Sequence, residues 1–374
     1  MELALEGAVL RGRRIARGTV AVRDGAIAAD APRGAVRRLP DGWLVAPGFV
    51  DLQVNGFGGA EIGDDPDQIV AVASALPRAG VTAFCPTLVS RDDAGYRRAA
   101  RALAAAAPPP GAARMLAPHL EGPFLNPARH GAHDPAVLRD PDPEAVERLL
   151  ALLPPAILTL APELPGGLAA TRRAARSCVV AIGHTEADAA LGREAVAAGA
   201  RLVTHALNAM RGIVSREPSA LAAALAGGRA HVSLIADGVH VAPEVAVTIA
   251  RAAGPRLVLV SDASAPAGAP PGRYRLGPRE VVSDGVRVTD GGTLAGSARG
   301  LGDGPGVLAG AGLLRAAAVA AAATAPRRLL GLPGAALAPG DPADLVVLDE
   351  RLVPRLTLVA GEVAWAAPDL PFEV

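Results

Sequence analysis

A chain of 374 residues is too long for one small core and suits one large barrel with a minor domain. Apolar residues make up 51% and charged residues 20%, the balance of a folded globular protein. The 37 basic and 37 acidic residues cancel and aromatics are only 2%, which excludes a basic field for nucleic acid or anionic membrane and a row of base-stacking platforms.

All 37 basic residues are arginines, so a P-loop lysine, a Schiff-base lysine and a metal pair bridged by a modified lysine are also excluded. Cys85 and Cys178 are isolated in apolar runs and read as reduced core residues, not a disulfide framework. The start, MELALEGAVLRGRR, lacks the basic-then-apolar order of a signal peptide. The longest charge-free stretch, Leu149 to Pro162, is short for a membrane span and interrupted by prolines. A cytoplasmic protein is expected.

In chain order, GTVAVRDGAIAAD reads as a hairpin, and DLVVLDE with RLTLVAGEVAW repeats the alternation at the other end. Residues 1–46 and 340–374 are therefore expected to build one small β-sandwich domain. Between them, over 47–339, eight apolar runs each close on polar residues. They are VAPGFVDLQVNG, GVTAFCPTL, RMLAPHLEGP, AILTLAPE, CVVAIGHT, RLVTHALNAM, HVSLIADGVH and RLVLVSDASAP. Helical stretches such as EADAALGREAVAAGA fill most gaps. The rhythm predicts an α/β fold, a (β/α)₈ TIM barrel with its chemistry at the C-terminal ends of the strands. An open doubly wound sheet is the alternative, weakened because no GxGxxG follows the first strand. The tracts ALAAAAPPPGAA and AAAVAAAATAP read as solvent-side helix and linker.

Among seven histidines, His184 and His205 stand out because each ends an apolar run, at the rim where barrel enzymes place ligands. Glu121 ends another. Two imidazoles and a carboxylate make a common three-ligand zinc set that leaves a position for water. Read separately, the three could instead be unrelated strand-end caps. Asp262 ends the eighth run, facing the barrel mouth as a proton acceptor or capping the next segment. Asp237 before Gly238 reads as a turn residue. His119, two residues before Glu121 on the same strand face, suits ligation or an orienting role. Arg216, in IVSREPS, would be the natural clamp for a phosphate and is otherwise a solvated loop residue.

Taken together, PGFVDLQVNGFGG, HLEGPFLN, GAHDP, LAPE, AIGHTEAD, THALNAM, REP, IADGVHV, SDASAPAG and GGTLAGS resemble the N-acetylglucosamine-6-phosphate deacetylases of the amidohydrolase superfamily. They run in that family's order from about residue 47 to 297. The resemblance implies metal-dependent hydrolysis of the acetamide of N-acetylglucosamine 6-phosphate, in amino-sugar catabolism or recycling. It implies that Glu121, His184 and His205 hold the metal, that Asp262 is general base and then acid, and that His133 binds the sugar and polarises the acyl carbonyl. Asn208 and Ala209 through their backbone, with Arg216 and His240, would hold the phosphate, and Leu294 would border the acetyl pocket. A homodimer is implied, in which the arginine serves its own or its partner's site.

Gln53 and Asn55 stand where many amidohydrolases carry the His-x-His of a second metal. Amides are poor ligands for it, so one divalent ion per chain is expected, zinc first, with iron, cobalt or manganese as alternatives. The segment 299–312 is richer in glycine than the helix expected after GGTLAGS. The rival readings are an N-acetylgalactosamine-6-phosphate deacetylase, a cyclic-amide hydrolase, and a non-catalytic barrel. The second lacks its His-x-His and lysine here. The third ought to have lost Glu121, His184, His205 or Asp262.

Overall fold

A computed structural model describes residues 2–30, 36–277 and 279–374. Eight parallel strands, Phe49–Val54, Val81–Leu88, His119–Glu121, Ile157–Leu160, Val179–Ile182, Ala200–Val203, His231–Ile235 and Leu257–Val260, pair in sequence order. A parallel bridge from Val54 to Ala263 links the last strand to the first. All eight correspond to the apolar runs read from the sequence. Alternate strand positions, such as Ala83 and Cys85, Val179 and Ala181, and Val258 and Val260, pack together with Ala325 and Leu329 of the last helix. Their neighbours, Phe84, Val180, Ile182, Leu257 and Leu259, pack with the surrounding helices. The two periodic faces of each strand thus make a filled barrel and an outer ring.

The helix Arg315–Leu330 corrects one expectation. Its alanine tract, 316–326, was to lie on the solvent side, yet the residues from Ala318 to Arg327 are all buried. Small side chains let the helix lie close beneath the barrel. They also bring in Arg327, 1% exposed, which donates to the carbonyls of Gly48 and Ala323 and to Thr82 Oγ1. Buried arginine is tolerated when its donors are satisfied. The glycine-rich segment does fold: a 3₁₀ turn at Leu301–Asp303 leads into a short helix, Gly304–Gly310.

Both termini contribute to one mixed sheet with its own core of Leu3, Leu5, Val22, Leu345, Val347 and Leu358. Leu44–Pro47 joins the halves. It pairs parallel with Glu2–Arg11 and antiparallel with Leu345–Leu348. The expected hairpin turns at Asp24 and Gly25, whose φ values of 51° and 78° suit a two-residue hairpin loop.

A further antiparallel sheet, Gly272–Leu276, Arg279–Ser283, Arg287–Asp290 and Thr293–Ser297, follows the eighth barrel strand. The apolar-run pattern did not reveal it, because its strands are short, rich in polar residues and only partly buried. Leu276, Thr293, Leu294 and Gly296 bring this sheet to the wall of the barrel-mouth cavity.

Candidate active site and metal centre

The candidate residues sit just past strand ends, where the backbone leaves the ladder. His184, His205 and Asp262 have φ of 50°, 28° and 49°. Histidine and aspartate are among the residue types that enter this region, and positive φ at three adjoining positions marks a site whose geometry the fold imposes. The turn reverses each chain so that its side chain points into the barrel mouth.

Glu121, His184 and His205 converge, with one ligand atom from each lying within 4.8 Å of the others. Glu121 Oε1 is 2.9 Å from His205 Nε2 and 3.3 Å from His184 Nε2, and the two ring nitrogens are 3.2 Å apart. All three residues are buried. His184 Nδ1 donates to the Arg129 carbonyl at 2.7 Å, so a neutral ring turns its Nε2 lone pair inward. Burial lowers His184 to about 4, which keeps that ring neutral. Burial also raises Glu121, but the hydrogen-bonding rings around it, His133 and His205 as donors, outweigh it and hold the carboxyl well below its usual range. His205 lies closer to Glu121, and this pairing overcomes burial and moves its pKa upward. An ionised carboxylate facing two Nε2 atoms, with a proton crowded among them, is the donor set that a divalent cation satisfies by displacing that proton. The residues fit such an ion.

Gln53 and Asn55 bind neighbours instead of completing a second cation site. Gln53 Nε2 donates to Glu121 Oε1 at 2.8 Å, and Asn55 Nδ2 donates to Asp262 Oδ1 at 2.8 Å. Burial and then the charge of Glu121 raise Asp262 to about 7, against the opposing pull of His205, His240 and Asn55. His133 Nδ1 accepts from the Ser90 amide at 3.1 Å, which leaves the proton on Nε2, 3.5 Å from Glu121 Oε2. His119 is not in the ligand cluster. Its Nδ1 meets the Leu52 carbonyl at 2.9 Å and its Nε2 meets Thr159 Oγ1 at 2.7 Å, beneath the site.

A cavity of about 380 Å³ opens over these groups, and Asn208, Ala209, His240 and Leu294 line it. Asp237 is more than the turn residue expected. One oxygen accepts the amides of Val239 and His240, while the other takes His240 Nδ1 at 2.7 Å and Ser297 Oγ at 2.9 Å. Leu207 and Ala209 also have positive φ, 75° and 47°, and Asn208 is pinned by its amide to the carbonyls of His205 and Ala206. Arg216 lies outside the cavity, exposed in the loop after the sixth strand. Residues the sequence reading passed over are Ser90, which sets the His133 tautomer, and Arg129, which lines the cavity. Neither has a motif of its own; only three-dimensional proximity marks them.

The sequence pattern of the amidohydrolase family matches residues 44–364. The chain is 36% identical to N-acetylglucosamine-6-phosphate deacetylase of Homo sapiens, across 96% of this chain and 94% of that one. It is 35% identical to N-acetylgalactosamine-6-phosphate deacetylase of Escherichia coli O157:H7, across 92% and 93% of the two chains. Its fold superimposes with a TM-score of 0.89 on a variant N-acetyl-D-glucosamine-6-phosphate deacetylase of Mycobacterium smegmatis in complex with N-acetyl-D-glucosamine-6-phosphate, at 35% identity over 97% of this chain and 99% of that one. The chain belongs to the amidohydrolase family, in the group that contains the N-acetylglucosamine-6-phosphate deacetylases.

Proposed function

We propose that this chain hydrolyses the acetamide of N-acetyl-D-glucosamine 6-phosphate to D-glucosamine 6-phosphate and acetate, using one divalent cation per chain, zinc in the native protein. The observation that carries the reading is the convergence of Glu121, His184 and His205 beside Asp262 and the Nε2–H of His133, in a chain so similar to named deacetylases. The chemistry supplied by a bound cation is Lewis acidity, which makes water a stronger acid and offsets charge growing on the acyl oxygen.

The protein's own groups do the rest. Asp262, with one oxygen held by Asn55, uses the other to take the proton of the attacking water, then returns it to the nitrogen as the C–N bond breaks. His133 donates from Nε2 to the acyl oxygen. Leu294 borders the acetyl methyl. The backbone at Asn208 and Ala209, with His240, receives the phosphate. Arg216 serves a second copy in a homodimer: its loop also exposes Ile213 and Val214, 52% and 48% accessible, an apolar pair suited to burial between subunits. We place the enzyme in the cytoplasm; no helix among the described residues is long and apolar enough to cross a membrane.

Amine release from N-acetylglucosamine 6-phosphate, N-acetylgalactosamine 6-phosphate and both free sugars tests the reading. The highest kcat/KM is expected for N-acetylglucosamine 6-phosphate. The galacto epimer is the second reading, favoured by the Escherichia coli relative, and a higher kcat/KM there would establish it. No release from any of the four would overturn both.

A further inference from the structure

We infer that Arg129 binds the phosphate of the substrate from within the same chain and is a binding residue in its own right, separate from Arg216. The inference rests on the reading that the substrate is a phosphorylated amino sugar. A phosphate dianion entering this cavity meets two carboxyl groups already there, Glu121 and Asp262. It needs a fixed cation, and Arg129 is the only arginine lining the cavity among the described residues.

The placement of Arg129 is specific. Its loop is pinned at both ends. Asn126 is held through Glu163 at 2.9 Å, and a Cβ on Gly131 would stand 3.3 Å from the His184 ring and 3.7 Å from the Ala209 side chain. The loop therefore lies against the turn at Ala209, the segment proposed to receive the phosphate. Glu186 pairs with the guanidinium through Nε alone, and neither terminal nitrogen has a partner among the described residues. Those free N–H groups form the fork that recognises a phosphate, and the side chain is 37% exposed, open to an incoming anion. The carbonyl of the same residue orients His184, so the group that reads the remote phosphate is covalently continuous with one that aims a metal ligand. Phosphate binding can in this way favour productive geometry at the acyl group.

The test compares Arg129→Ala, Arg129→Lys and wild type on N-acetylglucosamine 6-phosphate and free N-acetylglucosamine, with calorimetric binding of D-glucose 6-phosphate as a readout that needs no turnover. Arg129→Ala should lose about 10- to 150-fold in kcat/KM on the phosphorylated sugar and a similar factor in glucose 6-phosphate affinity, with little change on the free sugar. Arg129→Lys keeps the charge without the fork and should recover part of the loss. Metal content stays at the wild-type value, because every substitution keeps the backbone carbonyl. Equal losses on both sugars, or unchanged glucose 6-phosphate affinity, would overturn the inference. A wild-type enzyme indifferent to the phosphate would instead overturn the substrate reading. Mixing Arg129→Ala with Asp262→Asn chains should restore nothing, because each hybrid site lacks one of the two groups; restored activity would show that Arg129 acts across subunits and refute the same-chain assignment.

Discussion

Replacing Asp262 by asparagine separates proton transfer from the other properties of the site. The position has φ 49°, which asparagine tolerates better than most residues. The amide oxygen can still accept the 2.8 Å bond from Asn55. Glu121, His184 and His205 are untouched, so metal content should not change. The amide cannot take up the water's proton or return it to the amine. Each role is worth ~10²–10⁴ in rate, so kcat should fall by several orders of magnitude. A second consequence concerns stability. In the metal-free chain, burial and Glu121 raise Asp262 from 3.8 to about 7. The unfolded carboxyl releases its proton near the lower value and the folded one near the upper value. The native state therefore binds more protons in between, and stability falls as pH rises across that window. At about 1.36 kcal/mol per unit the ceiling is roughly 4 kcal/mol, reduced by cavity water reaching the carboxyl. Asp262→Asn lacks this loss, so without metal it should gain on wild type as pH rises through the window, measured by urea unfolding at a series of pH values. A variant that keeps more than about a tenth of wild-type kcat refutes the proton-transfer role. Parallel stability curves for the two metal-free proteins refute the electrostatic reasoning.

Other outcomes follow from the same geometry. Elemental analysis should find one tightly held divalent ion per active chain, because Gln53 and Asn55 are already bonded to Glu121 and Asp262; two ions per chain would contradict this. Arg216→Ala should cost about 10- to 150-fold in kcat/KM on the phosphorylated sugar and little on the free sugar. Mixing it with Asp262→Asn chains should restore part of the activity through hybrid dimers, and failure to do so would return Arg216 to its own subunit or to solvent. Asp51 is fully buried with Oδ2 unpartnered, and burial raises it from 3.8 to about 6 despite bonds from Ser261 and Gln53. Its contribution is also lost as pH rises, by up to about 3 kcal/mol. Asp51→Asn should thus be at least as stable as wild type at pH values above that range in thermal unfolding, and a large destabilisation there would show that the charge is needed.

The sequence by itself determined the eight barrel strands and brought out the candidate ligand residues at their ends. Both signals are local. A buried parallel strand must be a continuous apolar run, and a residue that ends such a run must emerge at the mouth of the barrel. His184, His205, Glu121 and Asp262 were legible for that reason. The absence of lysine, and the amides at Gln53 and Asn55, likewise narrowed the metal chemistry without coordinates. Only the tertiary structure decided the rest. The alanine tract at 316–326 carries no helical stripe that says inside or outside, so its burial depends on what lies above it. The sheet over residues 272–297 follows from pairing among short polar strands, a contact no single segment encodes. The tautomers of His133 and His184 are set by Ser90 and by the Arg129 carbonyl, 43 and 55 residues away in the chain. Hydrogen-bond partners of this kind are chosen by distance in space, which periodicity along a chain does not record.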